Sequence, residues 1–201
     1  MAKNVRKRTA AALASERRRA GLAGTTLLLM RMLAFLLVLA AGAVAEEPKL
    51  EFPRIQGHGG VYRLPGEPEP PIEGSRLAMD VTTKDYDGGV NKGLARAARY
   101  VNLFALSGVE DARVAIVMHG GATKEALDDK AYQERFGKAN PNRELMRQLR
   151  EAGAEIVVCG QSMVHNGFDP ERMAPEVGLA LSAATALLTR QAQGWAYLPI
   201  P

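Results

Sequence analysis

The chain has 201 residues, a length that suits one domain plus an extra segment. With 47% hydrophobic and 24% charged residues it has an ordinary globular composition, and no repeat or low-complexity tract is present. The net charge of +4 is unevenly placed: residues 1–45 hold eight Lys/Arg and a single acid, Glu16, so removing them from 26 basic and 22 acidic residues leaves 18 against 21. What remains is mildly acidic, which excludes reading the overall basicity as a nucleic-acid-binding signal.

The basic head reads as part of a targeting segment. Leu27 to Ala45 is apolar apart from Arg31 and ends Ala43-Val44-Ala45 before Glu46-Glu47. A basic region, an apolar core and a small-x-small site make a secretory signal peptide, residues 1–45, cleaved after Ala45. Counted from Met32 the apolar stretch holds 14 residues, short of the roughly 20 that span a bilayer. The mature protein is therefore expected in the periplasm or outside the cell, with no membrane partner after cleavage. One cysteine, Cys159, then becomes informative. An exported chain lives where disulfides form, yet this one cannot make a disulfide internally; its thiol is inert, paired with another chain, or kept for chemistry.

Residues 46–74 are rich in Pro, Gly and Glu and read as an extended arm. The domain proper is expected over 75–201. Arg76–Thr82 is a first strand, and Asp87-Gly88-Gly89 turns the chain into an amphipathic helix starting near Val90 and stopped by Gly108. Arg113–Met118 is a second, nearly continuous apolar strand ending at His119-Gly120-Gly121-Ala122. Residues 123–139 are charged, irregular and weakly helical. Asn140-Pro141-Asn142 starts the next helix, with Asn140 as its cap and Pro141 at its first position. Glu155–Cys159 is a third strand, rich in β-branched residues. After Gln161 a turn runs to Asp169-Pro170. Pro175 opens the longest helix, Glu176 to Gln193, apolar enough to be buried on most sides. Trp195–Ile200 is the last strand. Strands alternating with helices over long connections predict right-handed crossovers and a three-layer α/β sandwich with a mainly parallel sheet of four or five strands.

Loops that follow parallel strands gather on one rim, so His119 and Cys159 should face one crevice. A thiol just before a helix start meets N–H groups that favour the thiolate. Gln161 and Ser162 offer donors for an anionic adduct, and Gly120-Gly121 either lines the rim or only permits a tight turn. Cys159-Gly160-Gln161-Ser162 is also C-x-x-S, a redox spacing without its resolving cysteine. A buried, structural cysteine explains the position as well. The three histidines include no pair at ligand spacing, which argues against a metal site. No P-loop, G-x-G-x-x-G or G-x-S-x-G motif is present, so no cofactor is expected.

Val117-Met118-His119-Gly120-Gly121-Ala122, the Asn140-Pro141-Asn142 turn and Ile156-Val157-Val158-Cys159-Gly160-Gln161-Ser162 together resemble the DsrE/DsrF-like family, over about residues 75–201 and closest to its exported branch. The resemblance implies a parallel-sheet subunit of flavodoxin-like topology that assembles as homotrimers or homohexamers. In sulfur-relay members, a cysteine after the corresponding strand accepts sulfur as a persulfide and passes it on; Cys159 matches it. The expected function is thus a sulfur carrier or sulfurtransferase-like protein, with a small sulfur compound or a sulfur-transfer protein as partner. The alternative is a non-enzymatic, oligomeric binding or assembly module.

Overall fold

In the computed structural model, which describes residues 47–201 apart from Glu67, the apolar runs become one parallel sheet with helices on both faces. The expected signal segment lies outside the described residues. Within the arm, β1 (Leu50–Glu51) and β2 (Val61–Tyr62) form a short antiparallel ladder. β3 (Arg76–Val81) opens the main sheet and leads into a tight hairpin of β4 (Tyr86–Asp87) and β5 (Val90–Asn91). Its turn residues Gly88 and Gly89 have φ of 58° and 84°, a pair of left-handed conformations that suits a two-residue hairpin. The helix expected from Val90 therefore begins two residues later, as α1 (Lys92–Leu106), capped by the Asn91 side chain accepting from Gly93 N–H.

β6 (Arg113–Met118) is followed by a 3-10 segment (Gly120–Ala126), α2 (Asp129–Phe136) and α3 (Arg143–Glu151). The start of α3 lies after Asn142 rather than Asn140. The Asn140 side chain accepts from Asn142 N–H and donates to the Glu125 and Leu127 carbonyls, so it braces the loop and Pro141 stays in the turn. β7 (Glu155–Cys159) runs directly into α4 (Gly160–His165), which starts beside the cysteine as expected but continues through the stretch after Gln161 that read as a turn. A 3-10 turn (Pro170–Arg172) precedes β8 (Gly178–Ala180), α5 (Ala183–Ala192) and β9 (Ala196–Ile200).

The widest departure from expectation is the helix 176–193. Its first part pairs with β7 as an edge strand, and Ser182, accepting from Thr185 N–H, caps a helix that starts only at Ala183. Val177 to Leu181 is apolar in either conformation, so periodicity does not separate them; Gly178 weakens the helical one. Nor is α5 buried on most sides: Ala183 and Leu187 are buried, whereas Leu188 is 68% exposed.

The sheet order is β8-β7-β6-β3-β9, all parallel. Counting these strands alone gives 4-3-2-1-5, against 2-1-3-4-5 in flavodoxin, so the last strand joins beside the first. Right-handed crossovers explain the layers. The steps β3 to β6 to β7 move one way along the sheet. They place α1 and α3 on one face, where Leu94, Ala98, Leu145 and Leu149 cluster with Met79, Ile116, Met118 and Ile156. The connection from β8 to β9 runs back across the whole sheet and puts α5 alone on the other face, over Ala78, Val117 and Cys159.

Two buried polar side chains tie loops to this frame. Asn102 of α1 is fully buried; its Oδ1 accepts from Arg54 and Ile55 N–H at 2.9 and 2.8 Å, and its Nδ2 donates to the Ile55, His58 and Gly59 carbonyls. The arm is thereby clamped to α1. Glu125 is fully buried in the 3-10 segment, accepting from Tyr86 Oη (2.8 Å) and Asn142 Nδ2 (2.7 Å), with Lys124 Nζ at 3.8 Å. Burial pushes the Glu125 carboxyl above its ordinary 4.5, against the opposing pull of Tyr86, Lys124, Tyr132 and Asn142.

Asn102→Ala leaves several arm N–H and C=O groups without partners. It should lower stability by about 3 kcal/mol, hence Tm by roughly 6–12 °C, and open residues 50–66 to limited proteolysis. For Glu125 the folded value lies above the unfolded one. Its stabilising contribution is full below about 4.5 and is lost as pH rises through the raised folded value. Urea unfolding at stepped pH should show the wild type losing stability relative to Glu125→Gln over that window, then running parallel to it.

Candidate functional site

Cys159 is the last residue of β7 and the N-cap of α4, with φ −67° and ψ 114°. Because the helix begins at the very next residue, Sγ accepts from the Ser162 N–H at 3.4 Å. The thiol is 5% exposed, packed with Ala78, Val117, Ala183 and Leu187 on the face that α5 covers. Burial alone would raise its pKa. The Ser162 hydroxyl and N–H outweigh that, joined by the N–H groups of Ala183 and Gln161, and hold the thiol below the ordinary range. Ala183 is the first residue of α5, so the first turns of two helices meet at one sulfur.

The turn between β8 and α5 passes close over this position. A Cβ on Gly160 would lie 3.0 Å from the Ala180 carbonyl oxygen and 3.5 Å from that of Leu181, so a side chain there would press on the turn. Exposed Gln161 donates from Nε2 to the Leu181 carbonyl at 3.3 Å, tying the same turn to α4. Ser162 contributes to the sulfur both the hydroxyl and the N–H.

β6 and β7 are neighbours, with Met118 opposite Val158. His119 keeps extended backbone (φ −156°, ψ −174°) and its N–H still bonds the Val81 carbonyl at 3.0 Å. Positions 119 and 159 thus fall next in register on adjacent strands, on the same face as Val117. His119 Nε2 lies 2.5 Å from Asp80 Oδ1, and Asp80 Oδ2 accepts from Tyr197 Oη at 2.6 Å. Hydrogen bonding to Asp80, followed by burial, raises the Tyr197 pKa, so the phenol stays protonated and donates. Gly120 has φ of 54°, and a Cβ on Gly121 would lie 2.7 Å from the Thr82 carbonyl oxygen, so both glycines serve the turn that closes β6 onto β3.

Sequence reasoning missed Asp80 and Tyr197. The available signal was a lone acid between Met79 and Val81, in a strand flanked on both sides by others. His58 and His165 stand apart: His58 is on the arm and His165 is exposed at the end of α4. Among the described residues no group of three or more His, Cys, Asp or Glu is arranged to hold a metal ion. A groove of about 620 Å³ lies at the other end of the strands, between the arm and Tyr100, Leu103 and Phe104 of α1. Its lining includes Arg76 and Ala196, the first residues of β3 and β9, which separates it from the rim that carries Cys159.

Known proteins resemble this chain in sequence and in fold. The model of the DsrE/DsrF-like family matches residues 79–200. No curated protein matches significantly. Among solved structures, a protein of unknown function from Methanobacterium thermoautotrophicum, MTH1491, superposes with a TM-score of 0.51 at 18% identity. It covers 63% of this chain and 99% of its own, and shares the fold. The matched span contains β6, β7, His119 and Cys159, the same elements that build the rim; on that match the chain belongs to the DsrE/DsrF-like family.

Proposed function

We propose that Cys159 carries sulfur as a persulfide, and that the protein is an exported, self-associating sulfur carrier or sulfurtransferase-like member of its family. The observation that carries this reading is the thiol's setting: a sulfur that burial would neutralise is instead favoured as thiolate by the Ser162 hydroxyl and by amides from α4 and α5. The thiolate attacks the outer sulfur of a sulfane donor, a new S–S bond forms at Sγ, and the donor leaves one sulfur shorter. The resulting terminal sulfur is an anion, and Gln161 and Ser162 supply donors beside it. His119 with Gly120 and Gly121 lies at the end of the neighbouring strand, where the incoming donor would rest. Cleavage after Ala45 would place this chemistry in the periplasm or beyond, and trimers or hexamers are the assemblies the family suggests.

A second reading has its own support, since a thiol only 5% exposed and packed among Ala78, Val117 and Leu187 also suits a structural cysteine in an assembly module. The two separate cleanly. Incubation of the purified protein with polysulfide or thiosulfate should add mass in steps of about 32 Da per sulfur, lost in Cys159→Ser. A wild-type thiol that alkylates but never gains sulfur favours the structural reading, as does a Cys159→Ser variant that changes stability alone. Reaction with iodoacetamide tests the thiolate directly. Its rate should reach half its plateau at a lower pH than for a free thiol, and Ser162→Ala, losing the hydroxyl donor, should move that midpoint upward and slow the reaction a few-fold at neutral pH.

A further inference from the structure

The face of the sheet beneath α5 carries an arrangement that packing does not call for. Asp80 lies on β3, with a parallel strand on each side, and its side chain is 16% exposed. A carboxylate in such a place is costly unless both oxygens are used. Here each oxygen has one partner, and the two come from opposite flanking strands: His119 from the end of β6, Tyr197 from β9. In register Ala78 pairs with Tyr197, Asp80 with Val117, and Val117 with Val157. Tyr197 therefore lies one face-repeat below Asp80, while His119 and Cys159 lie one above it. The four residues form a stepped line across four neighbouring strands on one face, ending at the sulfur.

Resting on the sulfur-carrier reading, we propose that Asp80 and Tyr197 are positioning residues that hold His119 as the proton-handling partner of Cys159. An ionised carboxylate only accepts, so its bond to His119 puts a proton on Nε2 and leaves Nδ1 as the basic nitrogen. Tyr197 occupies the other carboxylate oxygen and fixes the carboxylate's rotation. With a persulfide donor RSSH, Nδ1 takes the Cys159 proton, and the thiolate so formed bonds through Sγ to the outer sulfur. The RS–S bond breaks with its electron pair on RS, and RS⁻ takes the proton from Nδ1 to leave as RSH. Cys159 ends as the persulfide, the ring ends as it began, and no oxidant or reductant is consumed. An inorganic polysulfide follows the same course and leaves one sulfur shorter.

The test joins a spectroscopic readout with a kinetic one, on the mature chain. Proton–nitrogen correlation spectra of the His119 ring, at a pH where it is neutral, should show the Nε2–H tautomer. Asp80→Asn, whose amide can donate to Nε2, should show Nδ1–H. Sulfur uptake from inorganic polysulfide, followed by intact mass, should slow on the order of 10²-fold in Asp80→Asn and in His119→Ala, and a few-fold in Tyr197→Phe. The double variant Asp80→Asn/His119→Ala should be no slower than His119→Ala, and alkylation of Cys159 at its pH plateau should stay within about two-fold of wild type in Asp80→Asn. An unchanged tautomer, wild-type uptake by Asp80→Asn, or an equal loss from that substitution when His119 is already absent would overturn the proposal while leaving the carrier intact. A wild-type protein that alkylates at Cys159 but takes up no sulfur would remove the carrier reading and this inference with it.

Discussion

The handedness of one connection governs the whole molecule. A parallel strand can be followed by a neighbour only through a crossover, and crossovers turn right-handed. Four successive strands, β3, β6, β7 and β8, step in one direction, so their helices share a face; the return from β8 to β9 must use the other. That return contains a single ten-residue helix, set over a sheet of five strands. One face is therefore closed by α1 and α3 together, and the opposite face is closed only where α5 crosses it. Asp80 and His119 lie on this thinly covered face, where both side chains stay partly exposed.

The same crossing sets the chemistry of the sulfur. Cys159 would be an unremarkable core thiol if β7 ended in an ordinary loop. Instead α4 starts without a spacer, and the β8–α5 turn brings a second helix start beside it. Backbone N–H groups at helix starts have no partner inside the helix. At this point some of them find one in sulfur, and a group that burial would keep neutral is shifted toward its anion. Gly160 allows the close approach, since anything larger would press on the Ala180 carbonyl.

How much of this was legible in the sequence varied with the type of signal. β6 and β7 were plain, because a doubly covered strand is a continuous apolar run bounded by turn residues, and the end of β7 fixed the location of Cys159. The helix from 176 failed because a short edge strand and a helix start share the same apolar letters; the pairing of Gly178 with Val157 distinguishes them. The extent of α4 was hidden for a similar reason, as the residues after Gln161 read equally well as a turn. Asp80 and Tyr197 are 117 residues apart in sequence, and their meeting depends on β9 adding beside β3, which no local pattern encodes. Glu125 lay in a stretch with weak periodicity because its partners, Tyr86, Tyr132 and Asn142, come from three different segments.

The short length of β8 bears on how the sulfur can be reached. β8 has three residues and hydrogen-bonds to a neighbour on one side only, which makes it the kind of segment that detaches before the rest of a sheet. The turn that follows it both covers Cys159 and delivers the Ala183 amide to it. The same turn thus bears on both the cover over Cys159 and one of the amides that lower its pKa. Cover and acidity at Cys159 thus depend on the same three-residue edge strand and the turn that follows it.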